Sequence, residues 1–360
     1  MRTLSAGFRL PATIVALILT ATTTPRTLAG QAAPQGAANP NLSHRFVKVA
    51  EGVYHAISTI GSLASNSQII INDDDVVLVD THTTPPQARL LLADLKTLTN
   101  KPVRTVVNTH FHFDHTHGNE VFAPTADIIG SDYARRTILA GVLQNRTARS
   151  VIDPVAPRVA DLKKQAAAET DAAKKAAVQQ QIAIQETYLA GLAQIRPTPP
   201  TVTLKDGDRL TLYRGGREIQ ILSFGQAHTG GDLVVYLPKE RIVCTGDFLT
   251  GGAPYMTDAY PASWAQKLDE LAKLDFETVL PGHGEVMTGK AGIAATQGYL
   301  RDVWRQVGEL KRKGLPVADA AKQVDMTAHS KAYPNIRAPG LPELFVNRMF
   351  ELMDGKDQLR

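Results

Sequence analysis

The chain has 360 residues but only one cysteine, Cys244. A single thiol cannot form a disulfide within the chain, so the sequence excludes a disulfide-stapled scaffold and leaves stability to the core and to any bound metals. Aromatic residues are also few, at 6%, while 43% of the residues are hydrophobic and 21% are charged. This composition is ordinary for a globular protein with one large catalytic domain or two small ones.

A large charge of one sign is absent as well. The formal net charge is +4, and three of the positive charges, Arg2, Arg9 and Arg26, lie in an N-terminal segment that we expect to be removed. A charge this small predicts neither a nucleic-acid partner nor binding to a membrane surface. We therefore expect a small molecule as the partner.

Long apolar runs are missing too. The longest N-terminal one, residues 12–19, is shorter than the roughly 20 residues that a membrane-spanning helix needs. It follows two arginines and precedes small residues near 27–33, which is typical of a secretory signal. We predict a signal peptide over residues 1–33, a linker over 34–45, no membrane anchor after cleavage, and a periplasmic or secreted protein.

Short β-branched runs predict strands over residues 53–57, 68–71, 76–79 and 103–107, and again over 209–213, 219–223, 233–237, 241–245 and 278–280. Apolar residues at helical spacing predict helices over 86–98 and 261–274, with amphipathic helices over 293–310 and 341–353. Two strand-rich halves with helices fit an α/β (α+β) fold, in which two sheets form a sandwich covered by helices on its outer faces.

Residues 135–200 lie between these halves and differ from them, because they are rich in Ala and Gln and end in a proline-rich run. We predict a helical insert with a sparse apolar stripe. Its path stays open between a hairpin, one long helix, a lid and an arm for self-association. The predicted domains are a catalytic domain over 46–310 that contains this insert, and a C-terminal helical extension over 311–360.

Histidine and aspartate residues are concentrated after the strand at 103–107. His110 and His112 are two residues apart and can offer two imidazoles to one ion, while Asp114 and His115 follow on the turn and can face a second ion. Four such residues within six positions have no packing explanation, since each buried imidazole or carboxylate needs a partner. The run therefore predicts a metal site.

Further donors stand at later strand ends, where loops usually carry function. His228 lies in the glycine-flanked loop 227–232, and His283 lies in the loop 281–284. Asp247 directly follows the strand that contains Cys244. These three residues add enough nitrogen and oxygen donors to complete two metal-binding groups.

In these residues the chain resembles the metallo-β-lactamase superfamily, whose HxHxDH motif sits in an αββα sandwich. The resemblance covers residues 46–130 and 201–300. It implies a first metal bound by His110, His112 and His228, and a second bound by Asp114, His115 and His283, with Asp247 bridging. It also implies that Asp80, after the strand at 76–79, supports the ligands from outside the metal shell.

This donor set suits zinc, which accepts imidazole and carboxylate ligands. Two ions that share a water lower its pKa towards neutrality. We therefore expect two Zn²⁺ per chain, with other divalent metals able to use the same donors. The expected reaction is attack of a metal-bridging hydroxide on a carbonyl, with Asp114 as the catalytic residue that orients the nucleophile.

The substrate is less well defined. Aspartate at position 247 matches the resembled glyoxalase-II-like thioesterases and lactonases, whereas one branch of the β-lactamases has cysteine there. Predicted export, and the stretch 233–238 that resembles a β-lactamase strand, favour β-lactam ring hydrolysis, which we rank first. Lactone, ester or thioester hydrolysis is the alternative, followed by phosphodiester or sulfate-ester cleavage, and by a non-catalytic zinc-binding interaction protein.

Three other residues are weighed beside this site. The resembled β-lactamases that use a cysteine ligand have it at the position of Asp247 and not of Cys244, so we predict that Cys244 is a buried strand residue and not a ligand. His117 and Tyr255 are candidates for the substrate pocket, because each lies next to a ligand segment. Packing against the helix at 261–274 is the alternative role of Tyr255.

Overall fold

The structure is a computed structural model that describes residues 42–59 and 65–357. The predicted signal peptide and most of the predicted linker lie outside the described residues. The first strand, β1, spans His44–Ala50. The predicted linker is therefore two residues too long at its C-terminal end.

Seven strands form the first sheet, in the order of the chain. They are β1, β2 (Val53–Ser58), β3 (Ser67–Ile71), β4 (Val76–Val79), β5 (Val103–Val107), β6 (Asp127–Ser131) and β7 (Val202–Leu204). Pairing is antiparallel from β1 to β4 and parallel from β4 to β7. The parallel part brings the carboxyl ends of β4, β5 and β6 to one edge.

The second sheet contains six strands in the order β13-β12-β11-β10-β9-β8. They are β8 (Arg209–Arg214), β9 (Arg217–Gly225), β10 (Asp232–Leu237), β11 (Ile242–Gly246), β12 (Thr278–Pro281) and β13 (Met287–Thr288). Alternate apolar side chains of the two sheets meet in a shared core, with Val79 and Val107 on one side and Val235 and Leu280 on the other. This alternation follows from the two-residue period of a strand.

Helices cover both outer faces. α1 (Pro85–Leu95) and α3 (Asn119–Phe122) pack on the first sheet, and the second sheet carries α8 (Pro261–Ala272), α9 (Ala291–Arg312), α10 (Val317–Gln323) and α11 (Glu343–Met353). Trp264, Leu268 and Leu271 form the buried stripe of α8, as their helical spacing predicts. The layers confirm the predicted αββα sandwich.

The insert is helical and folds back on itself. It contains α4 (Asp132–Gly141), α5 (Arg146–Ile152), α6 (Val155–Ala168) and α7 (Ala172–Leu192). Leu162 of α6 and Val178 of α7 share one apolar cluster, so the path is a hairpin and not one long helix. Its helices begin before residue 135, because the Ser131 hydroxyl caps α4 by accepting a hydrogen bond from the Ala134 amide.

The C-terminal helices belong to the outer layer of the second sheet. The boundary predicted at residue 311 falls inside α9, and Phe345, Val346 and Met349 of α11 join the same core as Trp264. Sequence patterns missed β1, β6, β7 and β13, which are short or alternate with charged residues. Within the described part of the chain, no helix is long and apolar enough to cross a bilayer.

Candidate metal centre

The predicted donors come from loops at the carboxyl ends of four strands. His110 and His112 follow β5, and Asp114 and His115 lie on the short helix α2 (Phe113–Thr116). The other three donors follow strands of the second sheet, with His228 after β9, Asp247 after β11 and His283 after β12. Both sheets therefore deliver their donors to one edge of the sandwich.

His110, His112 and His228 form what we call the first donor group, in which one nitrogen of each ring lies within 4.8 Å of the others. His228 Nε2 is 3.1 Å from His112 Nδ1. All three side chains are buried. Three imidazoles and an open position fit a single ion such as zinc.

Asp114, His115 and His283 form the second donor group, again with ligand atoms within 4.8 Å of one another. His283 Nε2 is 3.0 Å from Asp114 Oδ2. Asp247 stands between the groups, because one of its oxygens is 3.6 Å from His228 Nε2 and the other is 3.6 Å from His115 Nε2. This position is the one that a bridging carboxylate requires.

Asp80 supports the donors from behind. Its carboxylate accepts hydrogen bonds from His115 Nδ1 at 2.7 Å and from the Thr109 hydroxyl and amide, both at 2.8 Å. The Thr109 hydroxyl in turn accepts from His110 Nδ1 at 3.0 Å, since its own proton goes to Asp80. Both imidazoles are thereby held with Nε2 free to bind a metal.

Asp258 is a functional residue that sequence reasoning missed. It is fully buried, and its Oδ2 accepts a hydrogen bond from His112 Nε2 at 3.1 Å, which leaves His112 Nδ1 for the first donor group. The Thr147 hydroxyl of α5 donates to the same oxygen. Asp258 lies in the loop three positions before the start of α8 and outside any donor-rich run, so the sequence carries no signal for this role.

Unsatisfied polar atoms test whether the site fits a metal. His110 Nε2, His115 Nε2 and Asp247 Oδ1 are buried and have no hydrogen-bond partner. Buried polar atoms are nearly always paired in folded proteins. Two imidazole nitrogens and a carboxylate oxygen that converge without partners therefore fit divalent cations well.

Charge in the second donor group favours cations as well. Burial opposes ionisation of Asp114, but the imidazoles of His115 and His283 outweigh it and hold the pKa of this carboxyl well below its usual range. Partial burial lowers the pKa of His283, yet the carboxylates of Asp247 and Asp114 raise it to about 10. Metal binding here would displace protons from these imidazoles.

Two glycines allow the strand-end loops to approach so closely. Gly246 has a φ of 51°, and a Cβ at this position would lie 2.2 Å from Thr109 Oγ1. At Gly282 a Cβ would lie 2.3 Å from Asp247 Oδ1. Any side chain at either position would displace a donor or the residue that supports it.

A cavity of about 230 Å³ opens onto the two donor groups. Its floor includes His228, Asp247 and His283, and its walls are formed mainly by Ala253, Pro254, Tyr255, Trp264 and Thr296. Within the described residues that line it, no lysine or arginine is present. The walls are thus uncharged, and the charge of the cavity is confined to the floor.

The remaining predicted residues have definite places. Tyr255 lies in the cavity wall, whereas His117 is not among the described lining residues and is buried, with burial lowering its pKa to about 4. Cys244 is fully buried in the core between the sheets. Another histidine, His82, lies outside the donor groups and packs against His44, with 3.0 Å between their Nε2 atoms.

Two relatives are similar to this chain in sequence. The linear primary-alkylsulfatase of a Pseudomonas species is 23% identical over 279 residues, which are 72% of this chain and 50% of that protein. The 2,4-dinitroanisole O-demethylase subunit alpha of a Nocardioides species is 25% identical over 236 residues, 65% of this chain and 56% of that subunit. The chain thus spans about half the length of the curated relatives it matches.

Solved structures show the same fold. A metallo-β-lactamase from Pontibacter korlensis superposes with a TM-score of 0.52 at 18% identity, covering 72% of this chain and 99% of that one. The inverting sec-alkylsulfatase Pisa1 from a Pseudomonas species gives a TM-score of 0.57 at 16% identity, covering 85% of this chain and 50% of that one.

The family is shown by the sequence itself. The metallo-beta-lactamase superfamily matches residues 60–131 and 140–283, a region that contains all seven donors and Asp80. The resemblance drawn from the HxHxDH run is confirmed. This chain belongs to the metallo-β-lactamase superfamily of metal-dependent hydrolases.

Proposed function

We propose that this protein hydrolyses small, uncharged carboxylic esters or lactones with two bound Zn²⁺ ions. The observation that carries the proposal is the cavity, which places the donor groups at its floor beneath walls without a cationic side chain. Its volume of about 230 Å³ is below the roughly 300–1,000 Å³ of ordinary ligand pockets. A compact acyl group or lactone ring fits this space.

The walls discriminate between substrate classes. β-Lactam antibiotics carry a carboxylate and alkyl sulfates carry a sulfate, and enzymes usually recognise such groups with lysine or arginine. The lining residues offer instead Tyr255 and Trp264, whose rings suit an apolar substituent. An uncharged ester has no anionic group that would need a cationic side chain in the cavity wall.

The chain's own residues prepare the site for this chemistry. Two divalent ions held by the donor groups would generate hydroxide near neutral pH and polarise the substrate carbonyl. Asp80 and Asp258 fix the ring orientations of His115 and His112. We assign Asp114 as the residue that orients the attacking water, because its Oδ2 lies between His115 and His283, at 3.4 Å and 3.0 Å from their Nε2 atoms.

The sequence relatives are consistent with small substrates but do not define one. One is named for a primary alkyl sulfate and the other for 2,4-dinitroanisole, an uncharged aromatic ether. The second substrate is consistent with our proposal that the cavity of this chain accepts an uncharged aromatic group.

β-Lactam ring hydrolysis, which sequence reasoning ranks first, is the second candidate. The buried strand β10, which contributes Leu233 and Val235 to the core, resembles the equivalent β-lactamase strand. Among the described residues that line the cavity, none belongs to this strand. We therefore rank the β-lactam reaction below ester and lactone hydrolysis.

A substrate panel tests the proposal. Metal-loaded protein is assayed with p-nitrophenyl butyrate, an acyl-homoserine lactone, a thioester, nitrocefin, a carbapenem and dodecyl sulfate. We expect kcat/KM for the ester or the lactone to exceed that for each anionic substrate by at least about tenfold. A preference for nitrocefin or dodecyl sulfate overturns the proposal.

Metal dependence is tested in the same assay. Chelation should abolish hydrolysis, and added Zn²⁺ should restore it, while elemental analysis should find two ions per chain. His112→Ala should remove activity even with excess metal, because the first donor group loses a ligand. Full activity after verified metal removal is incompatible with the mechanism.

We also propose that the protein works in the periplasm or outside the cell, as the N-terminal sequence predicts. Self-association through the α6–α7 hairpin belongs to the same set of proposals. Mass analysis of the mature protein tests whether the signal peptide is removed. The molecular mass of the protein in solution tests self-association independently.

A further inference from the structure

Helix α5 of the insert contacts the segment of chain that follows the bridging residue. Asn145 caps this helix by accepting a hydrogen bond from the Ala148 amide. Three α5 side chains, those of Arg146, Thr147 and Ser150, reach residues 255–258. That segment provides both Tyr255 of the cavity wall and Asp258 behind His112.

Thr147 is connected to the first donor group through one carboxylate. Its hydroxyl donates to Asp258 Oδ2, and the same oxygen accepts from His112 Nε2 at 3.1 Å. Thr147 and Asp258 are both buried, and Asp258 Oδ1 has no hydrogen-bond partner. The position of this carboxylate therefore depends on two hydrogen bonds, of which Thr147 supplies one.

Asp258 is a buried acceptor that both partners share. Its Oδ2 accepts the hydrogen bonds from His112 Nε2 and from the Thr147 hydroxyl. A carboxylate that accepts from a ligand imidazole keeps that ring in the correct tautomer and orientation. The insert thus contributes to the state of a residue that orients a metal ligand.

Ser150 lies one helical turn after Thr147 and contacts the cavity wall instead. Its Oγ is 3.2 Å from the Tyr255 hydroxyl. The Tyr255 ring is also packed edge-on against Phe345 of α11, with 5.0 Å between ring centroids, and stands 6.4 Å from the His112 ring. Ser150 and Phe345 together fix where this ring stands in the cavity.

Arg146 fastens the helix in place. Its guanidinium pairs with Glu351 of α11 at 2.7 Å and donates to the Thr257 carbonyl at 3.5 Å. Both charged side chains are mostly buried, at 18% exposure each. The insert, the segment 255–258 and the C-terminal helix are therefore joined directly behind the site.

We propose that α5 is a part of the active site with two separable tasks. Thr147 is a positioning residue that holds His112 through Asp258 and so sets the affinity of the first metal. Ser150 is a positioning residue for Tyr255 and sets the fit of the substrate. The second task rests on the proposed hydrolytic function, whereas the first does not.

The first task is tested by metal affinity alone. Metal-loaded wild type, Thr147→Val and Thr147→Ser are titrated with a competing chelator, and the two dissociation constants are measured. Val keeps the shape of Thr but cannot donate a hydrogen bond. The ion bound by the first donor group should therefore be bound about tenfold more weakly, which is the lower end of the loss expected when a residue that supports a ligand is removed. Thr147→Ser should restore wild-type affinity.

The ion in the second donor group should be unaffected, because Thr147 has no contact with that group. Unchanged affinity in Thr147→Val overturns the first task. Equal losses in the Val and Ser variants would also overturn it, since they would point to packing and not to the hydroxyl. Thermal unfolding of all three proteins verifies that each is folded.

The second task is tested by steady-state kinetics with the best substrate of the panel. Ser150→Ala should raise KM roughly 2- to 10-fold, the equivalent of one neutral hydrogen bond, with kcat and both metal affinities unchanged. Arg149→Ala, on the exposed side of the same helix and paired with Asp153, is the matched control and should change neither quantity.

A fall in kcat without a change in KM for Ser150→Ala contradicts the assigned task. Tyr255→Phe, which removes the hydroxyl but keeps the ring, should reproduce the KM effect of Ser150→Ala, and the double variant should add nothing further. If no panel substrate is turned over by wild type, the proposed function fails while the Thr147 measurements still decide the first task.

Discussion

The two donor groups differ in charge and in access to solvent. The first consists of three buried imidazoles, of which His110 is oriented by Thr109 and His112 by Asp258. The second contains a carboxylate, and the His283 side chain is 40% exposed. An ion in the first group therefore depends on how well its neutral ligands are oriented, whereas an ion in the second is attracted by charge.

The two donor groups therefore depend on different physical effects to bind an ion. A neutral, buried group has little Coulombic attraction for a cation, so its affinity comes from ligand geometry and the outer hydrogen bonds that set it. An open, anionic group binds through charge but can exchange ligands with solvent. The cavity reaches both groups, since His228 and His283 lie in its floor.

The largest expected effect compares one ligand from each group. His112→Ala should lower both kcat/KM and the affinity for the first ion by more than about 100-fold. Even the loss of a residue that only hydrogen-bonds a ligand lowers metal affinity roughly 10–100-fold. His283→Ala should cost less, since solvent can occupy the place of a side chain that is 40% exposed. Elemental analysis and kinetics measure both; equal losses would contradict the comparison.

Removing an outer support should have the next largest effect. Asp80→Ala deprives His115 and Thr109 of their acceptor, so second-ion affinity should fall roughly 10–100-fold. Asp80→Asn keeps the shape and an acceptor oxygen, and also tolerates the φ of 61° found here. In a chelator titration, Asp80→Asn should therefore lose less affinity for the second ion than Asp80→Ala.

A pH-dependent effect should follow from His55, beneath the His283 loop. Its Nε2 donates to the Gly284 carbonyl at 3.1 Å, and burial lowers its pKa from 6.5 to about 4. A lowered folded-state pKa means that stability is complete above pH 6.5 and declines as the pH falls towards 4. The expected loss is about 1.4 kcal/mol per unit, or roughly 2 kcal/mol at pH 5.

His55→Gln isolates this contribution, because glutamine does not titrate. Denaturant unfolding of the metal-loaded proteins should show the stability difference between wild type and variant shrinking from pH 7 to pH 5. A constant difference over this range would mean that His55 does not stay neutral in the folded state.

The smallest effect is expected at Cys244, which lies in the inter-sheet core and outside both donor groups. Cys244→Ala should cost about 1 kcal/mol of stability and leave the metal content and kcat/KM unchanged. Loss of one metal ion from this variant would show that the cysteine takes part in the second donor group.

The strands and helices with a clear apolar pattern were predictable from sequence. β4, β5 and α8 begin at the predicted residues, since short β-branched apolar runs bounded by turns and helical apolar spacing both report burial. β7 and β13 have three and two residues, so their patterns are too short to distinguish from a turn. Their strand conformation depends on the neighbouring strand that pairs with them.

By itself the sequence determined the donors and the family, because metal-binding chemistry needs particular side chains and the HxHxDH run places four of them together. Only the tertiary structure decided which residues orient those donors. Asp258 lies 146 positions from His112 and 111 from Thr147, and a hydrogen bond across such separations leaves no periodic trace in the chain. It exists only once the insert and the two sheets have packed together.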